Sequence, residues 1–215
     1  MARVRTGETG GGTSEKIEKI LHGAMQEFLA HGYAGTSMDR VAAQAGVSKA
    51  TVYSHFHDKE GLFKALIEQL ARKKFQDVFG SEPLRGEPAI VLRELITKAL
   101  ERMMSDEEHC AFVRVLIAES GRFPELAKAW TNYIMKPTIA TLGTYLDAHP
   151  ELNILDSEAT VRIIIGSLVN FMMTQEMMYG KDIIPMERSR MVDGLMHHIL
   201  GTAKIPDRLS NPKLL

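Results

Sequence analysis

The sequence predicts an all-α protein, and three observations carry that expectation. Apolar residues recur at three- and four-residue spacing along most of the 215-residue chain. Helix punctuation falls where those runs begin and end, with Ser14, Ser48, Asp58 and Asp156 ahead of them and Gly32, Gly46 and Gly180 behind. No run of alternating hydrophobics is bounded by hairpin turns, so no sheet is expected.

Residues 1 to 13 are small, polar and glycine-rich without periodicity and read as a disordered arm. Their "GETGGGTSEK" lacks the Gly-Lys-Ser/Thr ending of a phosphate loop, and Arg3 and Arg5 read as part of a solvated tail, with a grazing contact to a phosphate backbone as the alternative. From Ser14, the residues Ile17, Ile20, Leu21, Ala24 and Phe28 form one helical face that stops at Gly32. A second helix follows in "YAGTSMDRVAAQAG", with Thr36 as cap, Asp39 three residues later, and Met38, Val41, Ala42 and Ala45 on one face.

"GVS" then makes a tight turn in which Gly46 can take a positive φ, and Ser48 caps a short helix reaching about Phe56. Asp58 caps a fourth helix that runs through Leu62, Phe63, Leu66, Ile67 and Leu70 towards Phe79. After the turn region "GSEPLRGEP", further helices are expected over 88–104, 109–120, 124–149, 156–180 and 185–200. Pro137 should kink or divide the third of these, and Pro185 suits a first helical turn.

A composition of 45% hydrophobic and 25% charged residues describes an ordinary globular chain. The formal net charge is -1, but it is unevenly spread: residues 1–75 hold 11 Lys/Arg against 8 Asp/Glu, and the remainder 15 against 19. A mildly basic front suits a polyanion contact there. Cys110 is the single cysteine, which excludes an intrachain disulfide and fits a reducing compartment. The longest apolar run, 163–173, contains Asn170 and falls short of the ~20 residues a spanning helix needs. A cytoplasmic protein with no membrane partner is expected.

"GVSKATVYSHFHDKEGLF", from Gly46 to Phe63, carries the chemistry. Two short helices joined by a tight turn bury their apolar sides and leave Lys49, Thr51, Tyr53, Ser54 and His55 outward. Such side chains donate to phosphate oxygens, bond base edges or cover a thymine methyl. Lys59 with the backbone donors after Asp58, and Thr36 with Ser37 before the second helix, offer further phosphate positions. A metal site at His55 and His57 is not expected, since residues two apart on a helix point about 200° apart and no third ligand lies nearby in sequence. Nor is catalysis: no G-x-S-x-G elbow is present, and Cys110 beside His109 lacks an activating arrangement. No cofactor is expected, and His57 has no assigned role.

The stretch from Ala24 to Ile67, "AMQEFLAHGYAGTSMDRVAAQAGVSKATVYSHFHDKEGLFKALI", resembles the DNA-binding domain of the TetR/AcrR family of bacterial transcriptional regulators. The resemblance implies an N-terminal three-helix DNA-binding domain with a helix-turn-helix, linked by a fourth helix to a larger helical ligand-binding and dimerisation domain. In residue numbers the expected division is 1–13 arm, 14–60 DNA-binding domain, 61–205 ligand-binding and dimerisation domain, and 206–215 tail. It further implies that Lys49, Ala50, Thr51 and Ser54 face bases while Thr36, Ser37, Tyr53, His55 and Lys59 hold phosphates. Ala50 stands where many members have glycine. Val115 to Trp130, "VLIAESGRFPELAKAW", is similar to the C-terminal domain of AcrR/AefR-like members.

In the C-terminal half, Ile164, Leu168, Phe171, Met172, Gln175 and Met178, with Leu195, Ile199 and Leu200, suit two helices pairing with their copies in a homodimer. Arg114, Glu119, Arg122, Asn132, Tyr133 and Asn170 are the polar candidates for an effector pocket, and the thirteen methionines read as core and interface filler. His197 and His198 complement a helix C-terminus. The expected function is a ligand-responsive regulator, a repressor, that binds a palindromic operator as a homodimer and is released by a small, largely apolar effector. An all-helical small-molecule-binding enzyme and a protein-interaction adaptor are the alternatives.

Overall fold

The computed structural model describes residues 11–201, so the expected tail, Arg3, Arg5 and most of the expected arm lie outside the described residues. Ten α-helices with short π and 3-10 turns make up these residues, and no strand occurs among them. The chain packs as two compact units.

The first unit comprises the chain up to Arg72 together with 111–133. It holds α1 (Gly11–Gly35), α2 (Met38–Gln44), α3 (Lys49–Phe56), most of α4 (Lys59–Phe79), the greater part of α6 (Glu107–Ser120) and α7 (Pro124–Trp130). The sequence reading ended the first domain at residue 60. By packing, α4 as far as Arg72 and the segment 111–133 join it, because they complete its core. Phe28, Phe63 and Phe112 are fully buried there beside Ile20, Val41, Val52, Leu62, Ile67 and Leu126. Phe63 meets Phe28 edge-on at 5.0 Å and stacks on Phe112 at 5.4 Å.

α1 starts at Gly11, earlier than Ser14, and Gly32 interrupts it at φ 66, ψ 175 before one last turn ends at Gly35. That conformation is essentially restricted to glycine. Ser37, not Thr36, caps α2, accepting the Arg40 N–H at 3.3 Å. Ser48 caps α3 by accepting the Thr51 N–H at 3.1 Å, and the Asp58 carboxylate accepts the Gly61 N–H at 2.7 Å in the first turn of α4.

The second unit comprises 73–110 and the chain from Ile134 onward. Its core comes from α5 (Pro88–Met104), α8 (Lys136–Asp147), α9 (Ser157–Met172) and α10 (Arg188–Gly201). The helix expected over 124–149 is divided, as Pro137 required: α7 passes through a π turn, Thr131–Met135, into α8. Asp156 caps α9 through the Ala159 N–H at 2.8 Å, but α9 gives way to a π turn at Met173–Met177 and a 3-10 turn at Gly180–Asp182. α10 begins at Arg188, so Pro185 precedes the helix and does not open it.

Candidate nucleic-acid interface

α3 is eight residues long, about 12 Å at the helical rise. Val52 fixes which side faces inward, since it is fully buried in the first unit's core. The opposite side presents Lys49, Ala50, Tyr53 and Ser54, all exposed, with Tyr53 at 47%. Thr51 and His55 are half-buried at the edges. The Thr51 hydroxyl lies 2.7 Å from Ser48 Oγ, and Ser54 Oγ donates to the Thr51 carbonyl at 2.8 Å, so both hydroxyls have preset directions. Lys49 is ion-paired with Asp39 of α2, holding this side chain of α3 against the neighbouring helix.

Two expected phosphate ligands are placed differently. Thr36 is buried, and its hydroxyl donates to the Gly32 carbonyl at 2.8 Å and approaches the Glu27 carbonyl at 3.0 Å. Its role is to hold the turn after the Gly32 break, while the exposed Ser37 remains at the surface. Lys59 is half-buried, and its ammonium donates to the carbonyls of Tyr33, Ala34 and Thr36 at 2.7, 3.2 and 3.0 Å. An ammonium has three protons, so this arrangement uses all of them. The same group lies 4.6 Å over the Tyr33 ring. Burial moves the Lys59 pKa below the usual lysine value, with Glu119 opposing that shift and Arg40 adding to it.

His57, unassigned in the sequence, ends α3 at φ 62, ψ -52. The Asp58 N–H donates back to the Phe56 carbonyl at 2.6 Å, which makes His57 the centre of a γ-turn. This rare, strained turn sets the direction in which α4 leaves α3. Gly61 accommodates it, because a Cβ there would stand 2.4 Å from the Phe56 carbonyl oxygen.

Arg40 was not singled out by spacing, and Glu119, expected at an effector pocket, is found instead at the corner between α1 and α2. Arg40 donates to the Glu27 carboxylate at 3.0 Å and also to the Gly35 carbonyl, bracing α2 against the end of α1. Glu119 accepts the Ala34 N–H at 3.2 Å across 85 residues of sequence, which no local pattern announces.

Of the effector-pocket candidates, Arg114, Glu119, Arg122, Asn132 and Tyr133 belong to the first unit and Asn170 to the second. All are exposed except Glu119, whose side chain is 14% accessible and lies 4.0 Å from Arg122 Nη1. Of the dimer-interface candidates, Ile164, Leu168, Phe171, Met172, Gln175, Leu195 and Ile199 are buried within the single chain. Met178 is 68% exposed. Among the described residues no three His, Cys, Asp or Glu side chains form a group able to hold a metal ion. No helix among them is long and apolar enough to cross a membrane.

The family model of bacterial regulatory proteins of the tetR family matches residues 20–66, and that of the C-terminal domain of AefR-like transcriptional repressors matches residues 91–201. The chain belongs to the TetR family. Its curated relatives include the transcriptional repressor AcnR of Corynebacterium efficiens, 27% identical over 128 residues, covering 58% of this chain and 61% of that one. The transcriptional regulator AcrR of Shigella flexneri is 28% identical over 115 residues, 53% of each chain. Against the first such relatives the chain spans between 46% and 61% of their length. Among solved structures, the flavonoid-responsive regulator FrrA superposes with a TM-score of 0.70 at 25% identity, covering 87% of this TetR-family chain and 96% of that one. These relatives are regulators, not enzymes.

Proposed function

We propose that this TetR-family chain is a ligand-responsive transcriptional repressor that binds a palindromic operator as a homodimer and is released by a small, largely apolar effector. The observation that carries the reading is the outward side of α3, where Lys49, Ala50, Tyr53 and Ser54 stand exposed above a buried Val52. A helix, about 10–12 Å across with its side chains, fits a major groove about 12 Å wide, and α3 would carry hydroxyl, phenol, methyl and ammonium groups into it. Lys49, Ala50, Thr51 and Ser54 face bases, and Ser37, Tyr53 and His55 hold phosphates. Thr36 and Lys59 act behind them, keeping the α1–α2 corner in place, and a phosphate contact by Lys59 requires the lysine to give up a carbonyl.

A homodimer is favoured by the surface that α9 and α10 leave open. Ile163 is 65% exposed on the same side of α9 as Gly166 and Asn170, and on α10 Gly194, His197 and His198 are exposed. Gly166 and Gly194 have nothing within 4 Å of a Cβ position, and an exposed glycine inside a helix costs about 1 kcal/mol unless a neighbouring helix makes use of it. Two copies would set their recognition helices about 34 Å apart, one turn of DNA. An effector that binds better to a different spacing would lower operator affinity. The flavonoid response named for FrrA supports a small organic effector.

The deciding experiment is a fluorescence anisotropy titration of duplexes from the DNA flanking its own gene, at several salt concentrations. Saturation at two chains per palindromic site is expected, with affinity falling steeply as salt rises. Absence of any site-specific binding at low salt would overturn the reading in favour of a helix-turn-helix with a purely structural role.

A further inference from the structure

We propose that Glu119 is a positioning residue for operator recognition, an inference that rests on the DNA-binding reading above. Its carboxylate fastens the end of α6 to the corner between α1 and α2, and that corner determines where the recognition helix stands.

The corner is residues 32 to 36. Gly32 breaks α1 at φ 66, ψ 175, and the chain then turns through Tyr33, Ala34 and Gly35 into Thr36 and the α2 cap Ser37. Glu119 Oε1 accepts the Ala34 N–H at 3.2 Å and lies 3.0 Å from where a Gly32 Cβ would stand. Gly32 therefore serves twice, by its backbone conformation and by leaving room for the carboxylate. Lys59 grips the same corner from α4 through the carbonyls of Tyr33, Ala34 and Thr36. Ala34 is held on both sides of its peptide, its N–H by Glu119 and its C=O by Lys59.

The surroundings keep the carboxylate at the corner. The Glu119 side chain is 14% accessible, so its charge-assisted hydrogen bond is only partly screened by water. Burial lowers the Lys59 pKa, and the Glu119 charge is close enough to oppose that fall. Arg122 lies over the Phe123 ring at 5.4 Å, and Phe123 meets Tyr33 at 4.6 Å, so the residues after Glu119 pack on the same corner. From the corner, α2 leads into the turn that carries α3, and Lys49 of α3 is ion-paired with Asp39 of α2.

The test compares Glu119→Ala, Glu119→Gln and Glu119→Asp in the full chain. Operator affinity is measured by anisotropy at several salt concentrations, and amide exchange at Ala34 is measured without DNA. Glutamine keeps an acceptor at the same reach, whereas aspartate keeps the charge but is one methylene too short. Glu119→Ala and Glu119→Asp should bind the operator about tenfold more weakly with the salt slope unchanged, because no phosphate contact is removed. Glu119→Gln should stay within about threefold of the parent, and Ala34 exchange should quicken about tenfold in the alanine and aspartate variants alone. If Glu119→Ala does not fold, the glutamine and aspartate pair decides. Wild-type affinity in Glu119→Asp, equal losses in Glu119→Gln and Glu119→Asp, or a reduced salt slope would each overturn the proposal. If the parent chain binds no duplex, the DNA-binding reading itself fails, and this proposal with it.

Discussion

Gly61→Ala separates helix propensity from tertiary packing. Gly61 occupies the first turn of α4, where replacing glycine by alanine ordinarily favours the helix by up to about 1 kcal/mol. The structure reverses that sign. A Cβ on Gly61 stands 2.4 Å from the Phe56 carbonyl oxygen, whereas close C···O contacts settle near about 3.3 Å, so the α3–α4 junction must open by about 1 Å. The oxygen cannot retreat alone, because it accepts the Asp58 N–H at 2.6 Å within the strained turn at His57. Overpacking against backbone falls at the upper end of about 1–3 kcal/mol, so the net loss after the propensity gain is about 2 kcal/mol.

Urea denaturation followed by helical signal measures this, with Gly143→Ala of α8 as control. Gly143 has nothing within 4 Å of its Cβ position, and alanine there should stabilise by about 0.5–1 kcal/mol. Operator affinity should fall in Gly61→Ala, since the opened junction redirects α3. A Gly61→Ala protein as stable as the parent and equally tight on DNA would refute the reasoning.

The remaining expectations concern charge and base reading. Lys59→Met should destabilise the first unit by about 1–2 kcal/mol, since the part-buried carbonyls of Tyr33 and Thr36 and the exposed carbonyl of Ala34 lose their donor; thermal unfolding reads this. His109 is 6% exposed, and burial, reinforced by Lys74 and opposed by Asp106, lowers its pKa from 6.5 to about 4. Between those values the unfolded chain binds more protons, so stability is lost as pH falls from about 6.5 towards 4, by up to about 3 kcal/mol. Denaturation midpoints across that range should show the slope, and His109→Phe should flatten it. Thr51→Ala should change preference among operator variants by about 1–3 kcal/mol at one base position, measured by competition anisotropy; an equal loss on every variant would contradict a base contact.

The helical spacing of Ile20, Ala24 and Phe28, the caps Ser48, Asp58 and Asp156, and the break at Pro137 were all legible in the sequence, because capping and periodicity act over a few residues. The outward side of α3 was legible for the same reason, once Val52 was taken as its inward residue. Spacing could not tell which polar groups stay on that surface. Thr36 and Lys59 are surface-forming residue types, yet one is buried and the other half-buried, because a break at Gly32 leaves carbonyls that need donors. In α9 and α10, Ile164, Leu168, Phe171, Leu195 and Ile199 lie in the chain's own core, a burial that spacing alone does not separate from burial against a second copy.

The sequence alone therefore determined the helix class, the helix-turn-helix and the extent of α3 within it, all consequences of local hydrogen bonding and amphipathic period. Only the tertiary structure decided that His57 centres a strained turn, that Gly61 must lack a side chain, and that Glu119 closes on Ala34. Each of these depends on where a backbone group from another turn or helix comes to rest, and nothing in the spacing of side chains encodes that position.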